Sequence, residues 1–231
     1  MRRCAYRILR SSAALVAVAL MLGCRQADAS GRNEYWHQRV SLFDKLPVES
    51  GDIVFLGNSI TDGGEFHELF RRHDIKNRGI SGDVVDGVRE RLDQVMKGHP
   101  SKVFLLIGIN DISHGKSAEA IAREYDALVR EMLEKSPATR LYLQSVMPID
   151  NDFRRYRNLT GREHVIPELN DLIKKIAESR GCTYIDLWPL MAEPATGKLK
   201  RQYTNDGLHL TGEAYRDWAD FIVRYVGETA D

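Results

Sequence analysis

Asp52-Ile53-Val54-Phe55-Leu56-Gly57-Asn58-Ser59 is an unbroken apolar run that stops at a glycine and two small polar residues. A strand with one solvated face alternates apolar and polar residues. A run without alternation is what a strand buried on both faces needs, which is the situation in a parallel sheet covered by helices. Lys102-Val103-Phe104-Leu105-Leu106-Ile107-Gly108 repeats the design. Arg140 to Val146 and Thr183 to Leu187 are further runs of this kind, and residues 75–80 form a shorter, weaker one. The segments between them carry helical stripes. Ile121, Tyr125, Leu128, Val129, Met132 and Leu133 share one face, and Ile166, Leu169, Leu172, Ile173 and Ile176 another. Val84, Val85, Val88, Leu92, Val95 and Met96 predict a helix capped by Ser81 or Asp83, and Ala214, Tyr215, Trp218, Ile222 and Tyr225 the last one. Strands alternating with helices imply right-handed crossovers and an α/β fold with a parallel sheet of about five strands. Ligands of such sheets bind beyond the carboxyl ends of the strands. The loops after Gly57, Ile80, Gly108 and Leu187 are therefore expected at one edge.

The chain has 231 residues, with 33 lysines and arginines against 33 aspartates and glutamates. A formal charge of zero, with no long single-sign block, gives no footprint for a nucleic-acid partner. Residues 1–23 read as a signal peptide: Arg2, Arg3, Arg7 and Arg10 precede an apolar run from Ala13 to Leu22, too short to span a bilayer. Met21-Leu22-Gly23-Cys24 resembles a bacterial lipobox, which would make Cys24 a lipid anchor, while Ala27-Asp28-Ala29 fits ordinary signal cleavage. The lipobox is the preferred reading, since Gly-Cys falls at the end of the apolar run, and either site implies export to the cell envelope or beyond. Residues 24–50 read as a linker and N-terminal helix, and 51–231 as the main domain. Of three cysteines only Cys182 falls inside that domain, so no internal disulfide framework is expected. Cys182 reads as a small buried residue.

Three strand-end loops carry complementary chemistry: Gly57-Asn58-Ser59, Gly108-Ile109-Asn110-Asp111 and, after the last strand, Asn205-Asp206-Gly207-Leu208-His209. A serine, a histidine and a carboxylate at one sheet edge are the parts of nucleophilic acyl transfer, with histidine as general base and the carboxylate fixing its tautomer. Asp206 and His209 are three residues apart, so one short loop can set the carboxylate behind the ring. The Asn110 amide and the backbone N–H groups of Ser59 and Gly82 are candidate oxyanion donors, each typically worth ~3 kcal/mol. Taken alone, Ser59 reads as a helix cap, Asn110 and Asp111 as turn residues, and Asp206-Gly207 as a turn. The set in its order makes the catalytic reading the stronger one.

Residues 52–226 resemble the SGNH or GDSL-type esterase and lipase superfamily. The resemblance rests on four blocks in order: Gly57-Asn58-Ser59-Ile60, Ile80-Ser81-Gly82-Asp83, Gly108-Ile109-Asn110-Asp111 and Asp206-Gly207-Leu208-His209. It implies a flavodoxin-like three-layer α/β/α sandwich, with Ser59 as nucleophile, Gly82 and Asn110 as oxyanion donors, and Asp206 and His209 completing the triad. It implies no cofactor. Asn58 stands where the family name has aspartate, a position outside the triad. The stretch Ile80–Arg91 and the ending Leu208-His209-Leu210-Thr211-Gly212 look most similar to the acetylhydrolase and carbohydrate-acetylesterase branches. The expected substrate is a short-chain ester on carbohydrate, such as O-acetylated sialic acid or polysaccharide. Lysophospholipase, thioesterase and platelet-activating-factor-acetylhydrolase-like activities are the alternatives, and a non-catalytic glycan-binding surface lipoprotein the alternative of another class.

The remaining candidates read as structural. Asp111 reads as a local brace. His37, His67, His73, His99, His114 and His164 show no metal-ligand spacing, so no metal site is expected. The stretch Asp150–Arg157, with Arg154, Arg155 and Arg157, reads first as a solvated loop and second as an arm over the site. Trp188 and Trp218 read as core.

Overall fold

The computed structural model describes residues 32–227. The signal peptide and Cys24 lie outside the described residues. The sheet has five strands: β1 (Ile53–Gly57), β2 (Ile75–Gly79), β3 (Lys102–Leu106), β4 (Arg140–Gln144) and β5 (Thr183–Ile185). All neighbouring pairs are parallel, in the order β2-β1-β3-β4-β5. Every strand expected from the apolar runs is present. The core strands β1 and β3 are buried along their whole length, as unbroken apolar runs require.

The strand order locates the site. From β1 the chain steps to one side, to β2, then crosses back over β1 to β3 and continues outward. That reversal leaves a crevice beyond the ends of β1 and β3, where ligands of open α/β sheets bind. Right-handed crossovers then divide the helices between the two faces. Ala118–Lys135 and Val165–Arg180, which follow β3 and β4, pack against each other, and Val85–Glu90 joins them. The other face holds the helix Gly212–Gly227. There Phe55, Phe104 and Tyr142 occupy one row across β1, β3 and β4. Phe66 extends the row into a ladder with centroid spacings of 3.9, 4.9 and 4.5 Å. Each stacked pair is worth about 0.5–1.5 kcal/mol beyond the area it buries. Trp218, fully buried, closes the ladder edge-on against Phe66 and donates its indole N–H to Gln144 at 2.9 Å. Trp188, read as core, is only partly buried.

Three further expectations need correction. The apolar stripe from Val84 to Met96 is not one helix but two, Val85–Glu90 and Asp93–Met96. The break falls at Arg91, which turns inward and is buried. Its guanidinium bonds the Asp83 carboxylate at 2.8 Å and the carbonyls of Arg78 and Gly57 at 2.9 and 3.2 Å. The Arg91 backbone itself leaves helical geometry there, at φ −103° and ψ 14°. Neither Ser81 nor Asp83 caps this helix by the usual route. Val84 occupies the cap position, and the Val85 N–H is satisfied by Asp111 from the neighbouring loop at 3.0 Å. Cys182 is half-buried rather than buried, and burial pushes its thiol up to about 11, so it stays protonated at neutral pH.

The helix expected between residues 24 and 50 is Glu34–Phe43, begun by the Asn33 side chain, which accepts from the Trp36 N–H. It packs on the body of the protein: Trp36 and Phe43 are buried with Ile80, the residue that follows β2.

Candidate active site

The loop that carries Ser59 is a tight turn at the end of β1. Asn58 is fully buried and its side chain accepts the Ile60 N–H at 3.1 Å, starting the short helix Ser59–Asp62. The position that departs from the family pattern thus serves as the cap beneath Ser59. From β2, Asn77 ties down the same turn: its amide donates to the carbonyls of Thr61 and Gly64, both at 2.7 Å, and its oxygen accepts from the Gly79 N–H at 2.8 Å. On the far side Tyr215 donates to the Ile60 carbonyl at 2.8 Å. Ser59 is therefore held from three directions while its own side chain stays partly exposed.

His209 faces it. The imidazole Nε2 lies 2.9 Å from Ser59 Oγ, and Nδ1 lies 2.8 Å from Asp206 Oδ2. Asp206 Oδ1 accepts the backbone N–H groups of Leu208 and His209 at 2.9 and 2.8 Å, so the carboxylate organises the loop that carries its own partner. Burial pushes the Asp206 carboxyl up. Hydrogen bonds from Tyr156, from His209 and from the two backbone N–H groups outweigh that and hold it well below the usual carboxylate range. The loop is locked to the stretch after β4. The Asp150 N–H donates to the Gly207 carbonyl at 2.8 Å, and a Cβ at position 207 would sit 2.2 Å from the Asp150 carbonyl oxygen. Gly207 also has φ of +91°, which an L side chain rarely adopts.

The oxyanion candidates converge on the same edge. Gly82 sits at φ +84°. Its N–H donates to none of the described residues, and among them only Asn33 Nδ2, at 3.6 Å, approaches the space a Cβ would fill. Asn110 donates one amide proton to the Asp83 carbonyl at 2.8 Å, which joins the second and third blocks and leaves its other proton for a ligand. Asp111 is fully buried and bonds the Val85 N–H and Lys116 at 3.0 Å each, so it braces this junction from below.

The Gly82 loop has its own foundation. Asp62 accepts from the Ser81 hydroxyl at 2.8 Å and the Ser81 N–H at 3.2 Å, and also from the Tyr35 hydroxyl at 2.7 Å. Asp83 is almost fully buried, pairs with Arg91 and accepts the Trp36 indole N–H at 3.2 Å. Burial pushes the Asp83 carboxyl up, and the Arg91 charge opposes it. None of Asn77, Arg91, Trp36 or Tyr35 was singled out for the site from sequence. Arg91 fell within an apolar stripe, and the others lie on elements that read as scaffold.

The stretch Asp150–Arg157 crosses the rim. Arg154, Arg155 and Arg157 are exposed, as is His114. Tyr156, between two of those arginines, points inward and donates its hydroxyl to Asp206 Oδ2 at 2.7 Å. His67 does share ligand spacing with Glu65 and Glu68, although all three are exposed side chains at one short helical turn.

These blocks are matched as a unit: a GDSL-like Lipase/Acylhydrolase family model covers residues 55–216. No curated protein matches the chain. Among solved structures, a Streptococcus pneumoniae protein with a provisional platelet activating factor name is 26% identical with a TM-score of 0.76, over 83% of this chain and 92% of that one. A GDSL-like lipase from Bacteroides thetaiotaomicron gives 22% identity and 0.72, over 83% and 96% of the two chains. An acetyl-xylooligosaccharide esterase from Geobacillus stearothermophilus gives 20% and 0.60, over 79% and 97%. The strand-end blocks, the parallel sheet and the family match agree, and the chain belongs to the GDSL-like lipase/acylhydrolase family of ester hydrolases.

Proposed function

We propose that this protein hydrolyses short-chain, chiefly acetyl, esters of carbohydrate through an acyl-serine intermediate. The observation that carries the chemistry is the continuous contact from Ser59 Oγ through the His209 ring to Asp206, at 2.9 and 2.8 Å. Ser59 Oγ attacks the ester carbonyl carbon while His209 Nε2 takes its proton. The oxyanion is met by the N–H groups of Ser59 and Gly82 and the Asn110 amide. His209 then returns the proton to the departing alcohol oxygen, and water attacks the acyl-serine by the same sequence. Asp206 holds the Nδ1–H tautomer and supports the imidazolium.

The substrate reading rests on two supports. The chain carries no long apolar insertion that could serve as a lid over an acyl chain. A similar structure is an acetyl-xylooligosaccharide esterase. Residues 1–24, read as an export signal with a lipidated cysteine, agree with work on external glycans. The similar Streptococcus structure favours a lipid ester as the second reading. Ser59→Ala is expected to abolish labelling by a fluorophosphonate probe, and retained labelling would remove Ser59 from the mechanism. Across p-nitrophenyl esters from acetate to decanoate, turnover is expected to fall with chain length, with release of acetate from acetylated xylooligosaccharide. A maximum at decanoate would replace the carbohydrate reading with the lipid one.

A further inference from the structure

Tyr156 is fifty positions from Asp206 in the chain, yet its hydroxyl forms the third vertex of a triangle with the two loop residues: 2.7 Å from Asp206 Oδ2 and 2.8 Å from His209 Nδ1. Its ring stands edge-on to the imidazole, 5.6 Å between centroids. A tyrosine hydroxyl has one proton to give and lone pairs to accept with. The proton goes to Asp206, because an ionised carboxylate is acceptor-only, and the phenol stays protonated: burial and then the hydrogen bond to Asp206 push its pKa up. The hydroxyl oxygen is then left facing His209 Nδ1–H, which already points to the same carboxylate oxygen. One imidazole proton thus has two acceptors, and one of those acceptors is oriented by the other.

Resting on the reading of Ser59, His209 and Asp206 given above, we propose that Tyr156 is a positioning residue for the base, whose hydroxyl shares the His209 Nδ1 proton with Asp206 and fixes the carboxylate oxygen that receives it. Among the described residues its hydroxyl bonds Asp206 and His209 and neither Ser59 nor the oxyanion candidates, so it acts through the histidine and its carboxylate. Asp206 keeps its two backbone N–H bonds when the hydroxyl is removed, so the arrangement loosens rather than collapses.

The test combines Tyr156→Phe, Asp206→Ala and the double variant. Loss of one hydrogen bond to a charged group predicts that Tyr156→Phe lowers kcat for p-nitrophenyl acetate about tenfold with KM nearly unchanged. In the wild type the His209 Nδ1 proton is expected as a far-downfield proton NMR resonance, and that resonance moves in Tyr156→Phe. In the Asp206→Ala background the tyrosine oxygen is the remaining acceptor for Nδ1–H, so removing it costs more there than in the wild type, a non-additivity a double-mutant cycle reads directly. Fluorophosphonate labelling of Ser59 persists in Tyr156→Phe, which shows a folded site. Labelling retained in Ser59→Ala would instead fail the underlying reading. An unmoved resonance, a raised KM with unchanged kcat, or strictly additive effects would each overturn the role proposed for Tyr156 and leave it a substrate contact or a packing residue.

Discussion

At the scale of single residues, Asp206 does two jobs with two oxygens. Oδ1 gathers the backbone N–H groups of its own loop and Oδ2 serves the imidazole. Asp206→Asn keeps the size but offers an amide donor toward Nδ1, which favours the wrong tautomer. A loss in kcat on the order of 10³- to 10⁴-fold is expected. The same residue makes a stability prediction with a definite sign. Its carboxyl is held below the usual range when folded, so its contribution is complete above the unfolded value of about 3.9 and is lost as pH falls toward the lower folded value. Denaturant unfolding should therefore find wild type more stable than Asp206→Asn at pH 7, with the gap narrowing below about pH 4. A gap that widened in acid would contradict the assignment. Sequence alone brought Ser59, Gly82 and Asn110 into view because each follows a strand end, and Asp206 and His209 because a carboxylate and a histidine stand three residues apart on one loop. Tyr156 was not visible in this way. Its partners are distant in the chain, and a tyrosine among arginines carries no sign of which way it points.

At the scale of elements, the loop carrying Gly82 is built on a buried ion pair. Arg91 reaches from a broken helix to the Asp83 carboxylate and to carbonyls at the ends of β1 and β2, while the helix Glu34–Phe43 adds the Trp36 indole from above. Removing one partner of a buried pair leaves the other desolvated and uncompensated, which costs about 3–5 kcal/mol. Arg91→Met is therefore expected to lower the midpoint of a thermal melt by on the order of 10 °C and to reduce turnover as well, since Gly82 and Gly57 both flank the contacts it makes. A melt within a degree of wild type would show that Asp83 is satisfied without it. The periodicity of apolar residues could not reveal this break. A stripe of valines and leucines from Val84 to Met96 is compatible with one helix, and periodicity does not register that Arg91 within it turns inward and leaves helical backbone geometry.

At the scale of the whole molecule, the parallel sheet and its number of strands were the most legible features, while their order came only with the structure. The unbroken apolar runs of β1 and β3 suit strands buried on both faces, so a parallel sheet followed from physical chemistry before any coordinate, with β2 and β5 the weaker members. The positions of the loops followed in turn, because parallel strands bring all their carboxyl ends to one edge. The substrate was not legible to the same degree, because the rim that would read it is made of exposed side chains such as Arg154 and Arg157, whose types fit many partners. The proposed anchoring is tested separately from the fold. In a bacterial host, Cys24→Ala is expected to release the protein from the membrane fraction and to end incorporation of labelled palmitate, with esterase activity retained in the soluble fraction. Unchanged membrane retention would point to ordinary cleavage and some other attachment.

The backbone seam where Asp150 meets Gly207 also limits how the enzyme can be redesigned. A natural strategy for altering substrate range would be to transplant the 150–157 stretch from another hydrolase. Here the graft would not be a separable module, because its first carbonyl fills the space a side chain at 207 would need and its tyrosine meets His209. Any donor segment would have to arrive with a matching carbonyl and hydroxyl, or be exchanged together with residues 204–209 as one cassette.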